Sequence, residues 1–195
     1  MTIRLSSEER RAQIVEAAIK IIGERGLRAF TVAHMAEEVG ITDGTIFRHF
    51  KSKDEIVMGV IDRLEEIFSE TIPAPSTDPL GDLGLFFLNR VKLVTSRPGI
   101  QALVFSDQLS HAGGAVALKR VTELRSRGRR HIQARLDEAS QKQLIREDLD
   151  LDDILVLFHG AMMSLLSLAR DDFLLGSIEA RAERIWKTFL SMIRR

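Results

Sequence analysis

Several polar and basic side chains follow one another in a short segment of helical periodicity in the first third of the chain. Thr45, Arg48 and His49 carry hydrogen-bond donors that suit phosphate oxygens. Asp43 can accept a hydrogen bond from the amino group of a cytosine. Gly44 has no side chain, so the backbone at this point can approach the edge of a base closely. These residue types at this spacing indicate contact with nucleic acid.

A lysine at the start of the following helix extends this set. Ser52 and Glu55 have the spacing of a capping box, which predicts that a helix begins at Lys53. The N-terminus of a helix carries the positive end of the helix dipole and attracts phosphate groups. Packing alone gives no reason for a basic side chain at this position, so Lys53 is a further candidate for a phosphate contact.

Two short helices that meet at a tight turn are predicted to position these side chains. Thr31 is a candidate N-cap for the first helix. Gly40 ends that helix, because a residue without Cβ readily adopts the left-handed conformation of a helix stop. Thr42 can cap a second helix that runs through Phe50 and directs Ile46 inward. Two helices joined by such a turn form a helix-turn-helix, whose second helix enters the major groove of DNA.

The side of the second helix opposite Ile46 and Phe50 is predicted to be exposed. It carries Asp43, Gly44, Thr45, Phe47, Arg48 and His49. The pattern leaves one alternative open, since the same two helices can form an αα-corner inside a helical bundle that does not contact DNA.

A wider pattern spans roughly the first 60 residues. Its positions are Gly26, Phe30-Thr31-Val32, Met35-Ala36, Val39-Gly40, Thr45-Ile46-Phe47, His49-Phe50 and Lys51-Ser52-Lys53. This set of residues and spacings resembles the TetR/AcrR family of bacterial transcriptional regulators. Beyond these residues the resemblance is architectural, because the helical regulatory domains of that family share little sequence.

The resemblance implies roles for individual residues. His49 and Lys53 are expected to bind phosphates, and Thr42, Asp43 and Thr45 occupy recognition-helix positions that contact phosphate or base. The full set of predicted DNA-binding residues is Thr31, Ala33, Thr42, Asp43, Gly44, Thr45, Phe47, Arg48, His49 and Lys53.

Two residues of this set depart from the family pattern. Phe47 stands where the family usually has a tyrosine, so the contact from a tyrosine hydroxyl to phosphate is missing. Ala33 occupies a position that often carries a base-reading side chain, and alanine is too short to hydrogen-bond a base. The operator sequence of a relative therefore does not transfer to this chain.

The composition limits how such a protein can bind DNA. The 195 residues carry 28 basic and 28 acidic side chains, and residues 1–53 hold nine Lys and Arg against seven Asp and Glu. Without a large basic surplus, affinity must come from the placement of the basic groups. The absence of cysteine excludes a disulfide framework and a thiolate metal site. No signal peptide and no apolar run long enough to span a bilayer is recognised, so we expect a cytoplasmic protein without a membrane partner.

The remaining sequence predicts helices throughout. Apolar residues recur at helical spacing and no strand pattern is present, which predicts an all-α fold of about nine helices. We predict a three-helix helix-turn-helix DNA-binding domain at residues 1–53 and a helical effector-binding and dimerisation domain at residues 54–195. The helix from Lys53 to about Thr71 is long enough to belong to both domains. The resemblance implies that it links the ligand site to the DNA-binding domain.

Two further sites are predicted in the C-terminal part. A pocket for an effector, suggested by the resemblance, would be lined by Phe86, Phe87, Phe105, Phe158 and Met162, although such residues can also form a simple core. A helix at about residues 152–169 is apolar on most of its circumference, which favours packing against a second copy of the chain. The predicted dimer interface comprises Leu157, Ala161, Ser164, Leu165, Trp186, Phe189, Leu190 and Ile193. The alternative is a core helix in a monomer.

Other groups of residues give weaker signals. The basic side chains between Lys119 and Arg135 fit a solvated helix face, or else a surface for an anionic effector or a protein partner. His111, His131 and His159 lack the spacing of metal ligands. No Ser-His-Asp set, glycine-rich phosphate loop or pair of carboxylates stands out, so we expect no catalytic residue, no metal and no cofactor.

These observations favour a dimeric repressor that is released from a palindromic double-stranded DNA operator when a small, largely apolar effector binds. The alternative is a DNA-bound protein-interaction factor of the nucleoid-occlusion type that has no small-molecule effector. An enzyme on a helical scaffold would need a polar catalytic cluster, which the sequence does not show.

Overall fold

The computed structural model describes residues 6–97, 99–100, 103, 108–168 and 177–195. Among these residues the secondary structure is helical, apart from one isolated bridge between Ile145 and Arg194. The predicted all-α fold is confirmed. The α-helices are α1 Ser7–Arg25, α2 Val32–Val39, α3 Asp43–His49, α4 Lys53–Ser69, α5 Pro79–Ser96, α6 Gln108–Gln141, α7 Leu151–Leu168 and α8 Ile178–Ile193, and a 3-10 helix, Leu27–Ala29, precedes α2.

The chain divides into two compact units. The first unit comprises Met1–Ile67 and Arg97–Leu124, and the second comprises Phe68–Ser96 and Arg125–Arg195. The predicted domain boundary between residues 53 and 54 falls inside the first unit. Helix α4 contributes residues to both units, since the division falls between Ile67 and Phe68.

The first unit contains a small bundle of α1, α2 and α3, each of which contacts the other two. Its interior is apolar: Phe30, Met35 and Ile46 are fully buried, and Phe50 is almost fully buried. Burial of large apolar side chains stabilises each by about 1.5–3 kcal/mol, which makes this interior the main source of stability for the short helices α2 and α3.

Helix α6 is interrupted at Gly114. The backbone there has φ 65° and ψ −156°, a conformation outside the helical region that glycine adopts without steric cost. The long helix is therefore divided into two segments at Gly114.

The second unit is built around α5, α7 and α8, which contact one another pairwise. Five aromatic rings form its centre: Phe86, Phe87, Phe158, Trp186 and Phe189. Phe158 lies between the others, with ring centroids 5.4 Å from Phe87 and 5.6 Å from Phe189, both in edge-on geometry. Edge-on aromatic pairs contribute about 0.5–1.5 kcal/mol beyond the area they bury.

Helix α7 has one buried and one exposed apolar face. Phe158 and Leu165 are buried, whereas Val156 is 68% exposed and Leu157 is 54% exposed. By length and composition alone this helix is able to cross a membrane, which corrects the expectation that no apolar run reaches that length. The 18-residue helix is at the lower limit for spanning a bilayer, and a core or interface helix reaches the same length and apolar character.

Candidate nucleic-acid interface

The helix-turn-helix forms as the local sequence predicts. The Thr31 hydroxyl accepts a hydrogen bond from the backbone N–H of His34 at 3.2 Å, so Thr31 is the N-cap of α2. Gly40 ends α2 in the left-handed conformation, with φ 72° and ψ 39°. The N–H of Ile41 then donates to the carbonyl of Ala36 at 2.9 Å and closes the end of the helix. Both predicted helix signals are confirmed.

The second helix of the motif, α3, differs from the prediction in two details. Thr42 lies at its N-cap position, but its hydroxyl lies 3.0 Å from the Thr45 hydroxyl and caps no backbone amide. The helix ends at His49 and not at Phe50, although the N–H of Phe50 still donates to the Ile46 carbonyl at 3.0 Å. The inward direction predicted for Ile46 and Phe50 is confirmed, since both are buried.

Most of the predicted DNA-binding residues are accessible. Phe47 is 54% exposed although it is a large apolar side chain inside the motif. Exposed residues are Ala33, Thr42, Asp43, Gly44, Phe47, Arg48 and Lys53, and half-buried residues are Thr31, Thr45 and His49. The outer side of α3 is therefore largely accessible, as a helix that enters a groove requires.

Gly44 has open space around it. A Cβ at this position would have no heavy atom within 4 Å. Packing within the chain therefore does not require glycine here. The absence of a side chain at an exposed position of α3 is consistent with close approach of another molecule to the backbone.

Arg11 joins the end of α3 to the start of α4. Its guanidinium donates to the carbonyl of His49 and forms an ion pair with Glu55 at 3.0 Å. It also lies over the Phe50 ring, 4.0 Å from the centroid. Arg11 is thus a positioning residue that holds the end of the recognition helix. No local pattern identifies this role, because the contact residues lie 38 and 44 positions further along the chain.

The predicted capping box at the start of α4 is formed in part. The Ser52 hydroxyl accepts from the N–H of Glu55 at 3.2 Å, as predicted. The Glu55 carboxylate accepts from the N–H of Lys51 at 2.7 Å, whereas a full capping box would use the N–H of Ser52. This hydrogen bond from Lys51, followed by that from Arg11, lowers the pKa of Glu55 below its ordinary value. The carboxylate is therefore ionised at neutral pH and keeps Arg11 in place.

The two residues expected to bind phosphate are held from within the first unit. The ammonium of Lys53, the first residue of α4, lies 4.7 Å from the centroid of the Phe30 ring. The Nδ1 atom of His49 lies 3.2 Å from the hydroxyl of Ser7 at the start of α1. These contacts restrict both side chains while leaving the Lys53 charge exposed, which is suited to a phosphate contact at a helix N-terminus.

The residues predicted to line an effector pocket are part of the aromatic core of the second unit. Phe86, Phe87, Phe158 and Met162 are all buried, and the rings of Phe86 and Phe158 are stacked with centroids 6.3 Å apart. Phe105 lies outside the described residues. The structure therefore brings four of the five predicted residues into one region.

The predicted dimer residues fall into two groups. Leu165, Phe189 and Ile193 are buried within the chain, so that they already have packing partners. Leu157 and Ser164 are exposed, and Ala161, Trp186 and Leu190 are half-buried. The sequence missed Val156, which is more exposed than Leu157 on the same face of α7.

In the basic segment of α6, Arg120 and Arg135 form ion pairs within the chain. Arg120 pairs with Asp62 at 2.7 Å and with Glu65 at 2.9 Å, and Arg135 pairs with Glu138 at 2.9 Å. Within the described part of the chain, no three His, Asp or Glu side chains are grouped so that they could hold a metal ion.

Comparison with known proteins identifies the motif. A sequence model of the family described as bacterial regulatory proteins, tetR family, matches residues 14–59, which include α2, α3 and the start of α4. The transcriptional repressor KstR2 of Mycobacterium tuberculosis is 26% identical over 147 residues, covering 73% of this chain and 72% of the relative.

Two solved structures show a similar fold. The ketosteroid transcriptional regulator KstR2 of Mycobacterium tuberculosis matches with a TM-score of 0.71 and 22% identity, over 95% of each chain. The transcriptional regulator FadR of Bacillus subtilis, solved in complex with stearoyl-CoA, matches with a TM-score of 0.69 and 20% identity, over 92% of this chain and 97% of FadR. Residues 14–59 thus match the tetR family of bacterial regulatory proteins, the chain is similar to a transcriptional repressor over most of its length, and these findings support a DNA-binding transcriptional regulator.

Proposed function

We propose that this regulator is a dimeric repressor that leaves its operator when a small, largely apolar effector binds to residues 54–195. The observation that carries the DNA-binding part is the exposed outer side of α3, where Gly44 has open space and Phe47 and Arg48 are exposed. The protein acts in the cytoplasm on double-stranded DNA and catalyses no reaction.

The DNA contacts are assigned to residues 1–53. Lys53 and His49 bind phosphates, because one is exposed at a helix N-terminus and the other lies at the end of α3. Thr42, Asp43 and Thr45 lie at the start of α3, where a recognition helix contacts phosphates or base edges. The remaining contacts come from Thr31, Ala33, Gly44, Phe47 and Arg48.

The dimer forms through the exposed face of α7. Val156 and Leu157 are large apolar side chains in water, and Gly160 and Ser164 on the same face allow close approach of a second helix. Half-buried Trp186 and Leu190 on α8 extend this face. Two-fold symmetry suits DNA recognition, since two recognition helices one helical turn apart bind the two half-sites of a palindrome.

The effector acts through the second unit. The relatives named above support an apolar effector, because one is described as a ketosteroid regulator and another was solved with stearoyl-CoA. Phe86, Phe87 and Phe158 are buried in the apolar core of this unit, and we propose that such a molecule binds next to them. An effector that binds one conformation of the dimer better shifts the population towards it, and helix α4 carries the change to the DNA-binding residues.

The alternative of a protein-interaction factor without an effector has less support. Two arginines of α6, Arg120 and Arg135, are used in internal ion pairs. The relatives that match most of the chain are named as transcriptional regulators. A partner surface at residues 119–135 therefore has no specific observation in its favour.

The proposal is tested by fluorescence anisotropy of DNA from upstream of the regulator's own gene, across a salt series. We expect binding that survives an excess of non-specific DNA and that weakens when an apolar effector is added. Weak, strongly salt-dependent binding to every DNA tested would contradict local repression.

A further inference from the structure

A largely buried arginine in the second unit has no carboxylate partner among the described residues. Arg90 on α5 donates from Nη2 to the carbonyl of Phe68 at 3.5 Å, which is a long hydrogen bond. Its Nε is buried and has no hydrogen-bond partner in the described part of the chain. The guanidinium lies 4.3 Å from the centroid of the Phe68 ring and 5.0 Å from that of Phe86. A buried cation without an anion is unfavourable, so this arrangement favours an external anion.

A second unsatisfied polar group lies against the same ring. The His131 ring on α6 is 5.1 Å from the Phe86 ring, and its buried Nε2 has no partner among the residues described. Gly128, one turn earlier on α6, lies close to the same groups. A Cβ at Gly128 would lie 3.6 Å from Phe86 and 4.0 Å from Nη2 of Arg90. Two open hydrogen-bonding groups, one on α5 and one on α6, therefore flank Phe86.

Asp82, a buried carboxylate on the same helix as Arg90, is already satisfied. Asp82 accepts hydrogen bonds from the N–H and the hydroxyl of Ser76, at 2.8 and 2.7 Å. Its charge faces Arg135 at 3.5 Å, and Arg135 also pairs with Glu138 at 2.9 Å. These ion pairs compensate the charges of Asp82 and Arg135, although Nη1 of Arg135 makes no hydrogen bond among the described residues, and they leave the charge of Arg90 uncompensated.

The protonation states suit an oxyanion. Burial lowers the pKa of Arg90 to about 10, so that the guanidinium remains charged at neutral pH. Burial is the main cause that lowers the pKa of His131. The positive charges of Arg135 and Arg90 lower this pKa further, and the negative charge of Asp82 opposes them. His131 is then neutral, and it can donate one hydrogen bond without adding a second charge.

We propose that Arg90 and His131 bind the oxyanion head group of an apolar effector, either the carboxylate of a fatty acid or a phosphate of its coenzyme A thioester. A guanidinium presents paired N–H donors that match both groups. The apolar part of the ligand would enter beside Phe86, since the ring of Phe86 lies next to both the Arg90 guanidinium and the His131 ring. This inference rests on the proposed function, because it specifies the chemistry of the effector.

The test is a binding titration followed by the fluorescence of Trp186, the single tryptophan of the chain. Trp186 reports on this region because its ring lies 6.2 Å from that of Phe158. The probes are palmitate, methyl palmitate and palmitoyl-CoA, each below its critical micelle concentration. The wild-type protein should bind one of the two anions at least about tenfold more tightly than the uncharged ester.

Variants assign that preference to the two residues. Arg90→Gln should weaken binding of the preferred anion about tenfold to hundredfold and leave binding of methyl palmitate nearly unchanged, and His131→Phe should have a smaller effect of the same kind. Arg129→Gln is the matched control, because Arg129 is an exposed arginine on the same helix as His131. A preference for palmitate identifies a carboxylate site, and a preference for palmitoyl-CoA that is lost in Arg90→Gln identifies a phosphate site.

Equal binding of the ester and both anions, or anion binding that survives Arg90→Gln, would overturn the inference. If Arg90→Gln does not fold, His131→Phe takes its place, and an anion preference that is unchanged in His131→Phe would overturn the inference. Specific DNA binding without any charge-dependent ligand binding would refute this site and leave the DNA-binding function intact. Absence of specific DNA binding would instead refute the proposed function.

Discussion

Replacement of Lys53 by methionine should weaken DNA binding without unfolding the protein. Lys53 is exposed at the first position of α4, and its one described contact is with the Phe30 ring at 4.7 Å. An exposed cation–π contact contributes about 0.5–1 kcal/mol, so we expect the free energy of unfolding to fall by no more than about 1 kcal/mol. The effect on DNA binding should be much larger.

The expected size follows from counterion release. Each phosphate contact contributes about 0.9 to the slope of log K against log salt concentration. The proposed dimer would lose two contacts, so Lys53→Met should reduce the magnitude of this slope by about 1.8. The loss should be similar for operator and non-operator DNA, because a phosphate contact carries no sequence information.

The assay is fluorescence anisotropy on both DNAs across a salt series, with thermal unfolding measured in parallel. Lys20→Met is the matched control, since Lys20 is an exposed lysine of the first unit that already pairs with Glu38 at 2.5 Å. An unchanged slope for Lys53→Met would refute the phosphate contact. A reduction of about 0.9 would mean that a single subunit makes it.

Three other perturbations test separate parts of the structure. Gly44→Ala should stabilise α3 by about 0.5–1 kcal/mol, because alanine is the better helix former, and yet weaken operator binding about tenfold by blocking close approach. Thermal unfolding and anisotropy measure the two effects, and unchanged affinity would show that the backbone at Gly44 does not approach DNA. Val156→Glu should dissociate the dimer in sedimentation velocity, whereas Leu85→Glu, at an exposed apolar residue of α5, should not. A dimer that persists in Val156→Glu would exclude this face of α7. Glu55 has a lowered pKa, so its contribution to stability is present above its ordinary pKa of 4.5 and is lost as the pH falls through the folded-state value. Stability of Glu55→Gln should therefore fall less steeply than that of the wild type in acid, and parallel pH profiles would contradict the role of Glu55.

Local sequence patterns were enough to predict the helix-turn-helix. The N-cap at Thr31 and the left-handed stop at Gly40 depend on residues within five positions of each, and both are confirmed. The inward direction of Ile46 and Phe50 follows from helical periodicity in the same way. Helix signals of this kind act over one or two turns, so they can be read without knowledge of the rest of the fold.

The contacts that hold the motif depend on distant residues. Arg11 is a charged residue on an amphipathic helix, and nothing near it in sequence distinguishes it from a solvated side chain. Only folding places it against His49 and Glu55, at the junction of α1, α3 and α4. The Thr42 hydroxyl is a different case, because its partner Thr45 is close in sequence. Thr42 was predicted to cap α3, but its hydroxyl contacts the Thr45 hydroxyl and caps no backbone amide.

The two faces of α7 also separate what local sequence predicts from what packing between distant elements decides. Its sequence is apolar around most of its circumference, so hydrophobic periodicity determined that the segment is a helix but not which side is covered. Packing against α5 and α8 buries Phe158 and Leu165 and leaves Val156 and Leu157 exposed. Thus the sequence alone determined the type and position of the helices, because backbone conformation responds to neighbouring residues. The tertiary structure decided which side chains are available for DNA, for a second subunit and for an effector, because availability depends on which distant elements pack together.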